Sequence, residues 1–379
     1  MGQKSKAIQL HRKVRGKIEI KAKIHLQTKA TLSLAYTPGV AEPVREIAAD
    51  SKKVWDLTMK GNTVAVVSDG SAVLGLGNVG AKAAIPVMEG KCAIFKEFAG
   101  IDAFPICIES QIVDDIVLII KNISPVFGGI NIEDISAPRC FEIEDQLQDL
   151  GIPVMHDDQH ATAIIVLAAL LNAAKVAKKD LSALKIVFSG AGAAADATIR
   201  LLSLLQPKDI MVVDSQGIIS RTRQDLTVHK KQLLKITNKK DVSGTFADAS
   251  VNADVLIGLS RKGLFTQDIV KSMAENPIIF AMANPNPEVT YTDAKKWDVQ
   301  IMGTGRSDYP NQINNSSVFP GFFKGLLKYR ISKITDEMKL AAAYAIANLV
   351  RKPTSDNFIP IIFDKRVVPA IVNSLKKFG

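Results

Sequence analysis

Cysteine is scarce in this sequence: Cys92, Cys107 and Cys140 are the only three in 379 residues, and none has an x-x-Cys spacing. That excludes a disulfide scaffold and a thiolate metal knuckle, and it fits core thiols in a reducing, cytoplasmic compartment. Long apolar runs are also missing. The longest, around Ile164 to Ala174, falls short of the roughly 18 residues needed to span a bilayer. The N-terminus has basic residues but no uninterrupted apolar segment behind them, so neither a leader nor a membrane partner is expected. Aromatic residues make up 6% of the chain, and there is no zinc-finger, heptad, internal-repeat or low-complexity signature. The net charge of +10, from 48 basic and 38 acidic residues, therefore reads as a solubility feature or a field for small anions, and nucleic acid is not an expected partner. The surplus is densest up to Lys29, where Glu19 alone faces nine Lys and Arg.

Apolar residues, by contrast, are plentiful. At 47% hydrophobic, the chain is long enough for two globular domains, each with its own core. The first half mixes helical patterns with short β-rich runs at 63–67 and 103–108. From Ala161 to Lys178 an Ala- and Leu-rich stretch without Gly or Pro predicts one long buried helix, followed by a strand at 184–188. Further strand runs at 210–213, 255–257 and 278–281 alternate with helical or loop segments, the pattern of a doubly wound parallel sheet. The expected fold class is α/β. A mixed α/β N-terminal domain over 1–160 is followed by a Rossmann-like doubly wound parallel-sheet domain over 161–325, with a C-terminal helical segment over 326–379 packing back on the first.

Two segments match Gly-x-Gly-x-x-Gly/Ala. The second, Gly190-Ala191-Gly192-Ala193-Ala194-Ala195, follows an apolar strand, opens a helix through Leu205, and precedes a strand ending in Asp214. That context predicts a dinucleotide site, with pyrophosphate on the helix N-terminal amides and Asp214 accepting from the adenine ribose. Asp214 leans the expectation towards NAD over NADP, although Arg221, Arg223 and Lys230 could offset it. The first segment, Gly75 to Gly80, is separated from its strand by Ser68-Asp69-Gly70-Ser71 and reads as a substrate-side loop or a structural turn.

Two acidic pairs, Glu133-Asp134 and Asp157-Asp158, stand upstream of the dinucleotide turn. Asp157 and Asp158 precede the long helix, where capping carboxylates are common, and Glu133-Asp134 follows a Gly128-Gly129 turn that can bring it close. Either solvated caps and turns or a hard divalent ion, Mg²⁺ or Mn²⁺, accounts for them. The flanking His156 and His160 read as satisfied structural residues rather than ligands. Lys91 shares a helix flank with Met88 and Phe95, whereas Lys96 points away. An inward lysine loses solvation, which lowers its pKa towards that of a useful base, although a lysine snorkelling at a boundary fits the same spacing.

The chain resembles the malic enzymes, in their short prokaryotic-type form, over nearly its whole length. The resemblance rests on ordered motifs: 36–43 YTPGVAEP, 68–78 SDGSAVLGLGN, 86–91 PVMEGK, 127–135 FGGINIEDI, 153–160 PVMHDDQH, 283–285 ANP, Asn314-Asn315 and 319–321 FPG. It implies oxidation of L-malate with NAD or NADP and decarboxylation to pyruvate, assisted by Mg²⁺ or Mn²⁺. It assigns the metal to Glu133, Asp134 and Asp158, the general base to Lys91 with Asp157 beside it, and the general acid to Tyr36. Asn284 and Asn314 would orient substrate or nicotinamide, while Gly190, Gly192, Ala193, Ala195, Asp214 and Asn284 would line the cofactor. The chemistry suits these residue types: a metal-chelated hydroxyl loses its proton to Lys91 as hydride leaves C2, and after CO₂ loss Tyr36 protonates C3. Two departures stand out. Ala72 replaces an arginine that larger members carry for a substrate carboxylate, and Ala195 replaces the third glycine of the turn. A homodimer is implied, with some site residues contributed by the neighbouring subunit. Two alternatives share the scaffold: a malate-to-lactate decarboxylase and a catalytically silent dinucleotide-binding protein.

Overall fold

Apolar β-branched runs build two sheets in the computed structural model, which describes residues 3–73 and 75–379. Leu74, inside the first glycine motif, lies outside the described residues. The first sheet contains β1 (Thr63–Ser68), β2 (Asp102–Cys107), β3 (Gly129–Ile132) and β4 (Val154–His156), in the order β2-β1-β3-β4 with every pairing parallel. Strands β1, β3 and β4 are buried throughout, as expected where helices cover both faces of a parallel sheet. Pro105 is accommodated because β2 is an edge strand.

The second sheet contains β5 (Lys185–Ser189), β6 (Asp209–Asp214), β7 (Gly217–Ile218), β8 (Val255–Gly258), β9 (Ile278–Ala281) and β10 (Ile301–Thr304), in the order β10-β9-β8-β5-β6-β7. This is a Rossmann-like doubly wound arrangement with its crevice between β5 and β8. It departs from the all-parallel expectation at one edge. The two-residue β7 runs antiparallel to β6, pairing Val213 with Ile218 and Asp214 with Gly217, because a tight turn leaves no room for a crossover helix.

The long helix, Asp157–Ala177, is buried at every position from Ala161 to Ala174. By length and composition it passes for a membrane span, which corrects the expectation that no segment is long enough, because the helix extends beyond the apolar run at both ends. Here it is a core helix packed against the helices Ala193–Ser203 and Asp336–Ala347. Its buried Asn172 donates to the carbonyls of Ala347 at 2.8 Å and Phe358 at 3.0 Å. The helix Phe319–Lys328 packs on Ala81–Ala99, with the Phe95 ring 4.7 Å from Phe319 and 5.5 Å from Phe323. Cys92 and Cys140 are buried, which pushes each thiol up to about 12, and Cys107 is half-buried.

Candidate active site

Glu133 directly follows β3 and Asp157 directly follows β4, and these strands are parallel neighbours with Ile132 paired to His156. Register alone therefore delivers both acidic pairs to one carboxyl edge of the sheet. The long helix begins at Asp157 with His156 at the N-cap, so Asp157 and Asp158 occupy its first turn rather than preceding it, where carboxylates suit the helix dipole. Carboxylate oxygens of Glu133, Asp157 and Asp158 lie within 4.8 Å of one another. Asp134, at φ +52°, is buried and donates its backbone N–H to Asp158 Oδ2 at 3.1 Å.

Lys91 comes to these acids from the helix Ala81–Ala99, on the face it shares with Met88 and Phe95. Its Nζ donates to Asp157 Oδ2, stands 2.7 Å from Glu133 Oε1, and lies 4.2 Å from the centre of the Phe319 ring. The lysine is 7% exposed, so the boundary-snorkelling alternative does not hold. Burial alone would lower its pKa, but Asp157, Glu133 and Asp158 together raise it well above the ordinary value. This corrects the expectation of a lowered pKa: the sequence shows an inward lysine but not which acids surround it. Burial pushes Glu133 and Asp157 up, because one ammonium does not offset three carboxylates.

Asp69, after β1, is buried with its carboxylate 3.1 Å from Arg139, and the following loop is pinned to the acidic turn by Ser136 N–H to Ser71 Oγ and Ala72 N–H to the Asp134 carbonyl, both at 2.9 Å. Gly75, at φ +71°, packs on the second half: a Cβ there would stand 2.4 Å from the Asn284 carbonyl oxygen. The exposed Asn284 thus sits against this loop. Asn314 spends its side-chain oxygen on the Ser316 N–H at 2.9 Å, as the cap of a short turn. Tyr36 ends the helix Lys29–Ala35, is 67% exposed, and has no hydrogen bond to the Lys91 cluster among the described residues.

At the second sheet, Gly190 (φ +108°) closes β5 and has no room for a Cβ, which would lie 2.8 Å from the Leu259 carbonyl. Gly192 is the N-cap of the helix Ala193–Ser203, with Ala193 opening the first turn and Ala195 buried in the core where the third glycine would be. Exposed amides at this N-terminus suit a pyrophosphate. Asp214 stands at the end of β6 as expected, but its carboxylate is occupied by Arg223 at 2.8 and 3.0 Å and by Lys230 at 2.7 Å. Arg221 is turned away, 3.6 Å from Asp241.

Two family profiles match the sequence: malic enzyme, N-terminal domain, over residues 15–148, and malic enzyme, NAD binding domain, over residues 160–372. The chain belongs to the malic enzyme family. It is 50% identical over 381 residues to the bifunctional malic/malolactic enzyme of Bacillus subtilis (strain 168), covering 100% of this chain and 93% of that protein. It is 45% identical over 382 residues to the NADP-dependent malic enzyme of Rhizobium meliloti (strain 1021), covering 96% of this chain and 50% of that longer protein. The crystal structure of the NAD-dependent malic enzyme from Thermotoga maritima superposes with a TM-score of 0.95 at 44% identity, covering 98% of both chains.

Within this malic-enzyme framework the structure adds residues that sequence reasoning missed. Asn315, rather than Asn314, reaches the cluster, donating Nδ2 to Asp157 Oδ2 at 2.8 Å; the adjacent asparagine pair was the only signal. Glu288 lies buried beneath Gly258 and accepts from the backbone N–H of Ser260 at 2.9 Å and of Ala283 at 3.1 Å, tying the ends of β8 and β9 together at the crevice. Glu144, from the helix Arg139–Gln146, accepts from the His156 backbone at 2.9 Å, from Gln159 Nε2 at 3.2 Å, and pairs with His160 Nε2 at 3.0 Å. His160 is therefore satisfied as expected, whereas the buried His156 ring has no hydrogen-bond partner among the described residues.

Burial alone would raise the Glu144 pKa, but His160 and the His156 backbone N–H hold it down at about 2, against an ordinary 4.5. A depressed carboxyl stabilises the fold above its ordinary range and loses that contribution as pH falls from about 4.5 through about 2. Glu144→Gln is therefore expected to cost about 3 kcal/mol near pH 7 and progressively less below pH 4. Denaturant unfolding at the two pH values checks this; an equal loss at both would contradict it.

Proposed function

We propose that this chain oxidises L-malate with NAD or NADP and decarboxylates the product to pyruvate and CO₂. The observation that carries the reading is the buried Lys91 held between Glu133 and Asp157, with Asp158 beside them and Asn315 donating to the same Asp157 oxygen that Lys91 contacts. The donor set fits a hard divalent ion. All ligands are carboxylates, negative charge exceeds positive, and Asp157 Oδ1 is buried without a hydrogen-bond partner among the described residues. Glu133, Asp134 and Asp158 would hold Mg²⁺ or Mn²⁺, leaving Asp157 to orient Lys91. Bound there, the ion would supply Lewis acidity at the substrate oxygens, and the nicotinamide would supply the hydride acceptor.

The chain's own residues supply the rest. Lys91 Nζ takes the hydroxyl proton, Asp157 and Phe319 fix its direction, and the amides of Asn284 and Asn314 orient substrate or nicotinamide. The loop after β1 is held between the acidic turn and Asn284 and would form the substrate side of the site. The experiment is the product balance from malate with Mn²⁺. Pyruvate and reduced dinucleotide in equal amounts support the reading. Lactate without reduced dinucleotide supports instead the malolactic reaction, which the Bacillus subtilis relative's name also carries.

The proposal includes a homodimer. No residue from 6 to 59 is buried, yet this stretch exposes Ile20 at 86%, Leu34 at 77% and Tyr36 at 67%. Such an apolar arm calls for a cover, and a second copy places Tyr36 of the partner subunit over Lys91 as the acid that protonates C3. Mixing Tyr36→Phe with Lys91→Ala protein, each inactive alone, is then expected to restore about a quarter of the activity, since half the dimers carry one intact site. Recovery of none after subunit exchange would place both residues in one protomer.

A further inference from the structure

Asp214 sits where an acid that reads the adenine ribose belongs, but its carboxylate has no acceptor site to spare. Oδ1 accepts from the Gln216 N–H at 2.8 Å and Arg223 Nη1 at 2.8 Å; Oδ2 accepts from Arg223 Nη2 at 3.0 Å and Lys230 Nζ at 2.7 Å. Four donors fill the roughly four lone-pair sites of a carboxylate, three of them charge-assisted. The Arg223 and Lys230 contacts help hold the Asp214 pKa below its usual value despite burial. Binding a ribose diol would require breaking one of these contacts.

The surroundings are cationic. Arg223 also holds the exposed Asp225 across its outer edge and donates to the Gly217 carbonyl at 3.2 Å. A cavity of about 460 Å³ opens beside it, lined by Arg221, Arg223, Lys231 and Lys235 over Leu226 and Leu234. Neither Lys231 nor Lys235 has an ion-pair partner among the described residues, and Asp225, half exposed, is the partner of Arg223 that an incoming phosphate can replace.

We infer that Arg223 and Lys230 select a 2′-phosphate on the adenine ribose, so that this chain takes NADP in preference to NAD. The inference rests on the reading of the chain as a nicotinamide-dependent malate oxidoreductase and reverses the lean towards NAD drawn from Asp214. Phosphate oxygens replace the Asp225 carboxylate on the outer edge of the Arg223 fork and take the free protons of Lys230, while Asp214 stays neutralised on the inner edge. Without the 2′-phosphate, NAD offers a diol to an acid that cannot accept from it.

The test is fluorescence titration of the purified full-length protein with NADPH and NADH, which needs no turnover. NADPH is expected to bind at least about tenfold tighter than NADH. Arg223→Ala is expected to weaken NADPH about tenfold or more without weakening NADH, because Asp214 regains acceptor sites. Arg223 also ties down the turn after β6, so Lys230→Ala, at a partly buried position, serves as a second variant and is expected to lower the NADPH:NADH preference in the same direction by a smaller factor. Tighter binding of NADH to the unaltered protein, or a ratio unchanged in both variants, overturns the inference while leaving the proposed function standing. Binding of neither dinucleotide overturns both.

Discussion

Lys91→Ala is expected to lower kcat by about a thousandfold or more while leaving dinucleotide affinity within about twofold. Among the described residues the lysine's ion pairs are to Glu133 and Asp157 and none is to the end of β5, so its loss spares the glycine turn while leaving three carboxylates without their amine. Removing it also strips the charge partner from Glu133 and Asp157, both essentially inaccessible to solvent, and such a loss costs about 3–5 kcal/mol in stability. Unfolding curves therefore have to accompany the kinetics, with a divalent ion present to offset the unpaired acids. The distinguishing readout is partial recovery of turnover by added small amines, which a merely structural lysine would not show. A variant that keeps most of its turnover contradicts the assignment of Lys91 as the base.

The second large effect concerns the ion. Asp158→Asn is expected to weaken Mn²⁺ binding by about a hundredfold or more, read by titrating free Mn²⁺ against the protein without substrate. Asp157, with Glu133 and Asp158, keeps the proton on Lys91, and the last two are also among the residues that would hold the ion. An ion drawing on their charge weakens that hold, so Mn²⁺ binding is expected to release protons from the unaltered protein, and fewer from Lys91→Ala. An unchanged Mn²⁺ titration in Asp158→Asn removes Asp158 from the ligand set.

Much of the fold was legible because its strands are short apolar runs between glycine-rich or polar breaks; β1, β6, β8 and β9 all fall where their composition puts them. Strand β7 was not legible, since two residues carry no periodicity and its direction is set by the turn before it. The start of the long helix was misjudged by one turn because Asp157 to His160 look like a polar cap when read without the strand that feeds them.

The site divides in the same way. Residue types and helix flank identified Lys91, Glu133, Asp157 and Asp158, but their convergence comes from the pairing of β3 with β4, which no spacing in the chain encodes. The direction of the Lys91 shift depended on that convergence and was read with the wrong sign. Which of Asn314 and Asn315 faces the cluster depends on how the chain turns into the helix Phe319–Lys328, and the occupation of Asp214 depends on a loop that folds Arg223 back across β6.

In the proposed reaction Lys91 and its carboxylates release a hydride from malate C2 to a dinucleotide that then leaves the protein. Turnover of L-[2-²H]malate with Mn²⁺ tests it most directly, by mass spectrometry of both products. Deuterium is expected in the released reduced dinucleotide, with unlabelled pyruvate in equal amount. Deuterium retained at C2 of lactate, or no transfer at any pH from about 6 to 9, would contradict it.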